Sequence, residues 1–166
     1  MSADRIRKLL PNDFDQISSV VDEWWDGRPV RSMVPRLFFE HFNSTSLAIG
    51  DPGEVVGFLI GFVSPSNPES AYIHFVGVNP SHRGQGLARS MYETFFCNVA
   101  ALGCKEIRCV TSPMNRGSIA FHIRMGFELS LGNGEVGGVP VFMHYAAPGE
   151  HRVLFKKVLG KVAQST

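Results

Sequence analysis

Between residues 76 and 90 the chain reads VGVNPSHRGQGLARS, and this stretch limits what it can fold into more tightly than any other. A β-rich run, AYIHFVGVN, stops at Pro80, which lacks the N–H a sheet ladder needs. Gly84 and Gly86 follow. From Gly86 to Leu102, Leu87, Met91, Phe95, Val99 and Leu102 recur at intervals of three and four, the spacing of a helix with one apolar face, and Gly103 closes it. A strand that turns into a helix across bare glycines exposes the helix's first backbone N–H groups to whatever lies in front of them. An anion is what such a junction is suited to hold.

The remainder of the chain reads as a mixture of both element types. Residues 5–10 form a candidate first strand. PNDFDQISSVVDEWW offers turn residues, Asn12 or Asp13 as N-cap, and then Phe14, Ile17, Val20, Val21 and Trp24 at helical spacing. Pro35 can open a short second helix through Leu37, Phe38 and Phe42. SLAIG and EVVGFLIGFVS read as two strands joined across Asp51-Pro52-Gly53, SPSNPES as a loop, and EIRCVT as a strand. NRGSIAFHIRMGF is a short helix ending at Gly126, FELSL returns to the sheet, and RVLFKKVL closes it. The expected order is a strand, two helices, three strands, a helix, a strand, a helix and two strands. Hairpins early and βαβ units late imply an α/β fold, a mixed sheet covered by helices.

Length and charge narrow the class. A chain of 166 residues suits one domain over residues 1–166. A net charge of +1 lacks the basic face that nucleic acid requires, and no apolar run is long enough for a bilayer. The N-terminus turns acidic before an export signal develops. The three cysteines, Cys97, Cys104 and Cys109, form no C-x-x-C pair, so neither a disulfide framework nor a metal site is indicated, and a cytoplasmic setting is expected.

Three readings compete for RGQGLA. The glycines make a plain turn before a helix; or they begin a G-x-G-x-x-G dinucleotide fingerprint, in which Arg89 stands where the third glycine belongs; or they cradle a pyrophosphate. The third is preferred, because glycine admits a phosphate to the backbone without a Cβ in the way, and Arg83 and Arg89 add positive charge. At this point V-x-P-x-x-R-G-x-G-L-A resembles the acyl-CoA-binding signature of the GNAT superfamily of N-acetyltransferases, with Arg83, Gly86 and Ala88 at its defining positions. NRGSIAFHIRMGF, some thirty residues on, is similar to that family's later block, where an Asn precedes a helix and Gly-Phe closes it.

The resemblance implies a GNAT fold: a central, mostly antiparallel sheet with splayed fourth and fifth strands and about four helices. It implies acetyl-CoA as co-substrate, no metal, and transfer to a primary amine of a small molecule by direct reaction in a ternary complex. The splayed strands would be residues 72–78 and 106–111, with backbone at Val76, Gly77 and Val78 along the pantetheine arm. The N–H groups of Arg83, Gly84, Gln85, Gly86, Leu87, Ala88 and Arg89 would hold the pyrophosphate, and Asn115, Ser118 and Phe121 would border the arm. Where the family usually carries a Tyr acid this chain has His122, as do some relatives that acetylate amino-acid-like amines. Where some relatives carry a Glu base it has Tyr72, a phenol of pKa ~10 and a poor base. His74, two residues on and on the same face of a regular strand, titrates in the useful range and is the first candidate for base. Water relaying a proton to Glu23 or Asp26 is the alternative. For each histidine the competing reading is a packed, hydrogen-bonded side chain with no part in chemistry.

Acceptor specificity in this family lies largely in the first helices. Trp24 and Trp25 are adjacent, so one helix cannot bury both in its core, and one would cover the substrate mouth. Asp22, Glu23 and Asp26 would attract a cationic amine, and Arg28, Arg31 and Arg36 a carboxylate or a phosphate; for any single charge a solvated helix surface is the competing reading. GNGEVGGVPVFMHYAAPGEH is too long for one tight hairpin and is expected to fold over the pocket or to pair with a second copy in a homodimer. Two alternatives stand beside the small-molecule enzyme: a non-catalytic acyl-CoA-binding sensor, and a protein or peptide N-acetyltransferase.

Overall fold

A computed structural model describes residues 5–160. The order is β1 (Ile6–Lys8), α1 (Asp13–Trp24), a 3-10 turn (Arg31–Met33), α2 (Arg36–Glu40), β2 (Leu47–Ile49), β3 (Gly57–Ser64) and β4 (Asn67–Val78). A second 3-10 turn (Pro80–His82) leads to α3 (Leu87–Ala101), β5 (Glu106–Thr111), α4 (Arg116–Arg124), β6 (Glu128–Leu129), β7 (Gly134–Val136), β8 (Val139–Ala147) and β9 (Glu150–Val158). The strands lie in the order β1-β2-β3-β4-β5-β9-β8-β7, with β6 also on β9. Among the described residues only β4 and β5 pair in parallel. No described helix is long and apolar enough to cross a membrane.

Alternation along the strands puts one core on each face of the sheet. Leu59 of β3 and Ile73 of β4 pack with Met91, Phe95 and Val99 of α3, while Phe58, Ile60 and Phe75 pack with Ile17, Val21 and Trp24 of α1 and with Phe39 of α2. α1 is tied down at its start by Asp13, a buried carboxylate that receives both terminal nitrogens of Arg7 at 2.8 Å and the Leu10 N–H at 2.8 Å. Asn12 occupies the N-cap position but its side chain makes no cap.

Two features of β4 position the site. Ile60 faces Phe75 and Gly61 faces Ile73, so His74 is an extra residue with no partner on β3: a β-bulge. The bulge turns both His74 and Phe75 toward the α1 side. The parallel ladder with β5 runs from Ser70↔Glu106 only to Tyr72↔Arg108; beyond it β4 continues to Val78 on β3 and β5 to Thr111 on β9, no longer paired with each other. The two strands separate there, as expected of the fourth and fifth strands.

Three local expectations are revised. SPSNPES is a tight turn plus the start of β4, because Ser64 pairs with Asn67 and Pro68 falls in an irregular stretch that needs no ladder N–H. The α2 anchor is Phe39, fully buried, while Leu37 is exposed, since five residues give a single turn with one inward position. The segment after α4 folds as two successive hairpins. Gly137 and Gly138, with φ of 57° and 81°, supply the left-handed turn joining β7 to β8, and β8 then pairs with β9.

Candidate active site

The junction between β4 and α3 leaves the start of the helix open. Gly84 and Gly86 have φ of 77° and 80°, a region other residues enter only with strain. Gly86 is the N-cap of α3, has no side-chain cap, and a Cβ at either glycine would meet nothing within 4 Å. The first intrahelical bond is Ser90 N–H to the Gly86 carbonyl at 3.0 Å, and among the described residues no protein acceptor lies on the backbone N–H groups of residues 84–89. Six donors in a row therefore face open space, with the positive end of a helix dipole behind them.

Their arginine neighbours are partly engaged. The Arg83 guanidinium donates to the carbonyls of Trp24, at the end of α1, and of Val78, at the end of β4. It thus binds α1 to the sheet while lining the cavity. Arg89 pairs with Glu93 at 2.8 Å on the solvated face of α3.

A cavity of about 730 Å³ opens beside the end of β4, in front of α3 and α4. Val76 and Val78 line it from β4, Arg83, Gly84, Gly86, Leu87, Ala88 and Arg89 from the loop and α3, and Asn115, Ser118, Phe121 and His122 from α4. Asn115 is at once the N-cap of α4, its Oδ1 accepting the Ser118 N–H at 3.1 Å. Gln85 lies outside this lining. So does Gly77, whose missing side chain makes room for Phe58 and Trp25, which stand 2.6 Å and 3.0 Å from where its Cβ would be.

His122 is buried in an aromatic nest, its ring stacked on Phe155 at 4.8 Å. Nδ1 sits 2.7 Å from the Ser118 carbonyl, which can only accept, so Nδ1 carries the hydrogen and Nε2 is the acceptor. Nε2 is 3.0 Å from the hydroxyl of Tyr92 on α3, which therefore donates. Burial lowers the pKa of His122, and the Ser118 carbonyl only partly offsets it. Burial also pushes the Tyr92 phenol well above its ordinary value. Tyr92 lines the cavity and was not picked out from the sequence, although it lies one helical turn after Ala88 and so shares its face. His82, Gly117 and Arg124 also join the lining.

Of the other candidate groups from the sequence, Trp25 lines this cavity, while Tyr72, His74, Trp24, Asp26 and Arg31 lie outside its lining. Burial pushes the Tyr72 phenol up to about 12. His74 is stacked on Phe38 at 4.2 Å with Nε2 2.6 Å from the Met33 carbonyl, so it donates from Nε2 and leaves Nδ1 free to accept; burial lowers its pKa. The tryptophan pair divides as its spacing demands: Trp24 is core, while Trp25 packs on Phe75 at 4.8 Å and lines the cavity. Asp22 is spent on local structure, its Oδ1 receiving the Val30 and Arg31 N–H groups at 2.9 Å and 2.7 Å. Arg31 also reaches Asp22 with its side chain at 3.6 Å, and Asp26 takes a left-handed φ of 56° at the turn after α1.

Residues 7–127 match the model of the acetyltransferase (GNAT) family. The chain belongs to that family. Among curated GNAT relatives, an L-2,4-diaminobutyric acid acetyltransferase of Nocardia farcinica is 31% identical over 119 residues, covering 69% of this chain and 58% of its own. One of Virgibacillus pantothenticus is 40% identical over 79 residues, 48% of this chain and 50% of its own. The chain thus spans between half and three fifths of these two relatives' length. Among solved structures, the diaminobutyrate acetyltransferase EctA of Paenibacillus lautus, in complex with L-2,4-diaminobutyric acid and coenzyme A, superposes with a TM-score of 0.69 at 22% identity, over 95% of this chain and 96% of that one. The ribosomal-protein-S18-alanine N-acetyltransferase of Escherichia coli does so at 0.68 and 15% identity, over 99% of each. At such identities the superpositions establish the GNAT fold and do not choose between a small-molecule and a protein acceptor.

Proposed function

We propose that this GNAT chain transfers the acetyl group of acetyl-CoA to a primary amine of a small, amino-acid-like molecule, by direct transfer in a ternary complex. The observation that carries the reading is the row of uncapped N–H groups at residues 84–89, at the edge of the cavity beside the end of β4. Open space over Gly84 and Gly86 fits a diphosphate, which these amides would hold without side-chain help. Acetyl-CoA supplies the activated acyl group; the chain's own task is to align it with the amine and to stabilise the charge that develops on oxygen and sulfur. Direct transfer is supported by the thiols: no cysteine lines the cavity, and burial raises the pKa of Cys109, which keeps it protonated and a weak nucleophile.

The acceptor class is supported by the names of the sequence relatives, which are diaminobutyric acid acetyltransferases, and by aromatic groups on the α1 side beside a neutral histidine. His74 Nδ1 is the free acceptor there and is the proposed base. The test is thiol release from acetyl-CoA with a panel of free amino acids, 2,4-diaminobutyric acid, polyamines, aminoglycosides and peptides. Release with diamino acids supports the reading. Release with peptides alone contradicts it, and saturable CoA binding with no release from any amine identifies a sensor.

A further inference from the structure

We propose that the Tyr92 hydroxyl, held at rest on His122, is the hydrogen-bond donor to the sulfur released when the thioester breaks, and that His122 is its positioning residue. The proposal rests on the acetyl-transfer reading above. The position in α4 where the family usually carries a phenol is occupied here by an imidazole, and α3 delivers a phenol to within 3.0 Å of it. His122 has nothing left to offer a ligand. Its only N–H is given to the Ser118 carbonyl, and its Nε2 accepts from Tyr92.

Tyr92, in contrast, holds one hydrogen that turns about the C–O bond while the ring stays fixed. Phe96, Phe121 and Phe127 meet that ring edge-on at 5.9 Å, 5.0 Å and 6.3 Å. The titratable neighbours are His122 from α4 and Cys109 from β5, both buried and uncharged at neutral pH; Arg89 and Arg124 line the same cavity from α3 and α4. Burial keeps the phenol protonated, so it is suited to donating a hydrogen bond and not to giving up its proton.

The step balances without a protein acid. The neutral amine nitrogen bonds to the carbonyl carbon, the C–S bond breaks with its electron pair on sulfur, the nitrogen loses one proton to His74, the proposed base, which returns it to water, and the sulfur takes one from water. Tyr92 keeps its proton and changes only its acceptor, from a neutral imidazole nitrogen to an anionic sulfur. A bond to an ionised acceptor is about twice as strong as a neutral one, so the exchange is favourable only as charge builds on sulfur. Stabilisation confined to that moment raises kcat and leaves ground-state binding alone.

Tyr92→Phe removes one oxygen and keeps the ring. It should lower kcat about tenfold or more at unchanged KM for acetyl-CoA, and raise the pKa of the bound CoA thiol, followed by thiolate ultraviolet absorbance, by about one unit. His122→Phe leaves the donor in place, so its thiol pKa should stay near the wild-type value and its kcat should fall less. If Tyr92→Phe does not fold, fluorotyrosine at position 92, a more acidic donor, should lower the thiol pKa. An unchanged thiol pKa and kcat in Tyr92→Phe, an unmoved pKa with fluorotyrosine, or a loss confined to His122→Phe would each overturn the proposal. Wild-type protein that fails to bind CoA refutes the acetyl-transfer reading itself; tight binding with an unmoved thiol refutes only the role of Tyr92.

Discussion

Replacing Gly86 with Asp separates the anion site from the fold around it. The glycine sits at φ 80° with open space where a Cβ would stand, so the substitution meets no steric block. Its conformational cost is the left-handed penalty of an L-residue, about 1–2 kcal/mol, which for a chain of this size lowers the melting temperature by roughly 2–8 °C. The carboxylate stands over the uncapped amides and meets the diphosphate there. Like charges about 5 Å apart repel by about 1 kcal/mol at the dielectric of water and about 3 kcal/mol at an effective value of ~20. Affinity for CoA should therefore fall roughly 5- to 150-fold for each phosphate charge felt. Gly86→Ala carries the same strain without the charge. Calorimetric titration of CoA into both variants, at low and high salt, reads the difference: Ala should weaken binding less than about fivefold, and the Asp penalty should shrink as salt screens it. A Gly86→Asp protein that is folded and binds CoA within twofold of wild type would refute the placement of the diphosphate.

Other outcomes follow from packing and titration. Asp13→Ala should cost about 3–5 kcal/mol in urea unfolding, because it strands the Arg7 guanidinium and the Leu10 N–H beside a buried site. Gly77→Ala should cost about 1–3 kcal/mol in the same assay, since its Cβ would lie 2.6 Å from the Phe58 ring and 3.0 Å from Trp25. His74 and His122 both have lowered folded-state pKa values, so the unfolded chain binds more protons near its own value of 6.5. The stability they contribute is complete above that pH and is lost as pH falls toward the folded-state values. Melting temperature should drop between pH 7 and pH 5 on that account, with a shallower slope in His122→Phe.

How much of this could be read from the sequence differs from element to element. The α3 junction was legible because its signals are local: a proline that ends a strand, glycines that permit positive φ, and apolar spacing that continues for four turns. The separation of β4 from β5 followed only from family resemblance, since nothing within either strand records where their pairing stops. The bulge at His74 was hidden for a related reason. It is a mismatch in register between two strands, so the histidine reads as an ordinary member of an alternating run. β7 and β8 were missed because Gly132, Asn133, Gly137 and Gly138 crowd around a first strand of only three residues, and the turn at Gly137-Gly138 is recognisable only once both flanks are known to be strands. His122 was found by its place in the later block, but its saturation by Ser118 and Tyr92 depends on α3 and α4 meeting, and Tyr92 had no local signal beyond its helical face. The charges of the first helix looked like ligands for a substrate, whereas Asp22 is used to fold its own loop; Arg83, read as a partner of the phosphates, also holds α1 against the sheet.

The central claim is that CoA is held by the backbone N–H groups of residues 84–89, and amide NMR reads those groups directly. On titration with CoA, the resonances of Gly84 through Arg89 should move most and saturate together, while those of β1 and β2 stay in place. Saturable binding that leaves these six amides unmoved would contradict the account.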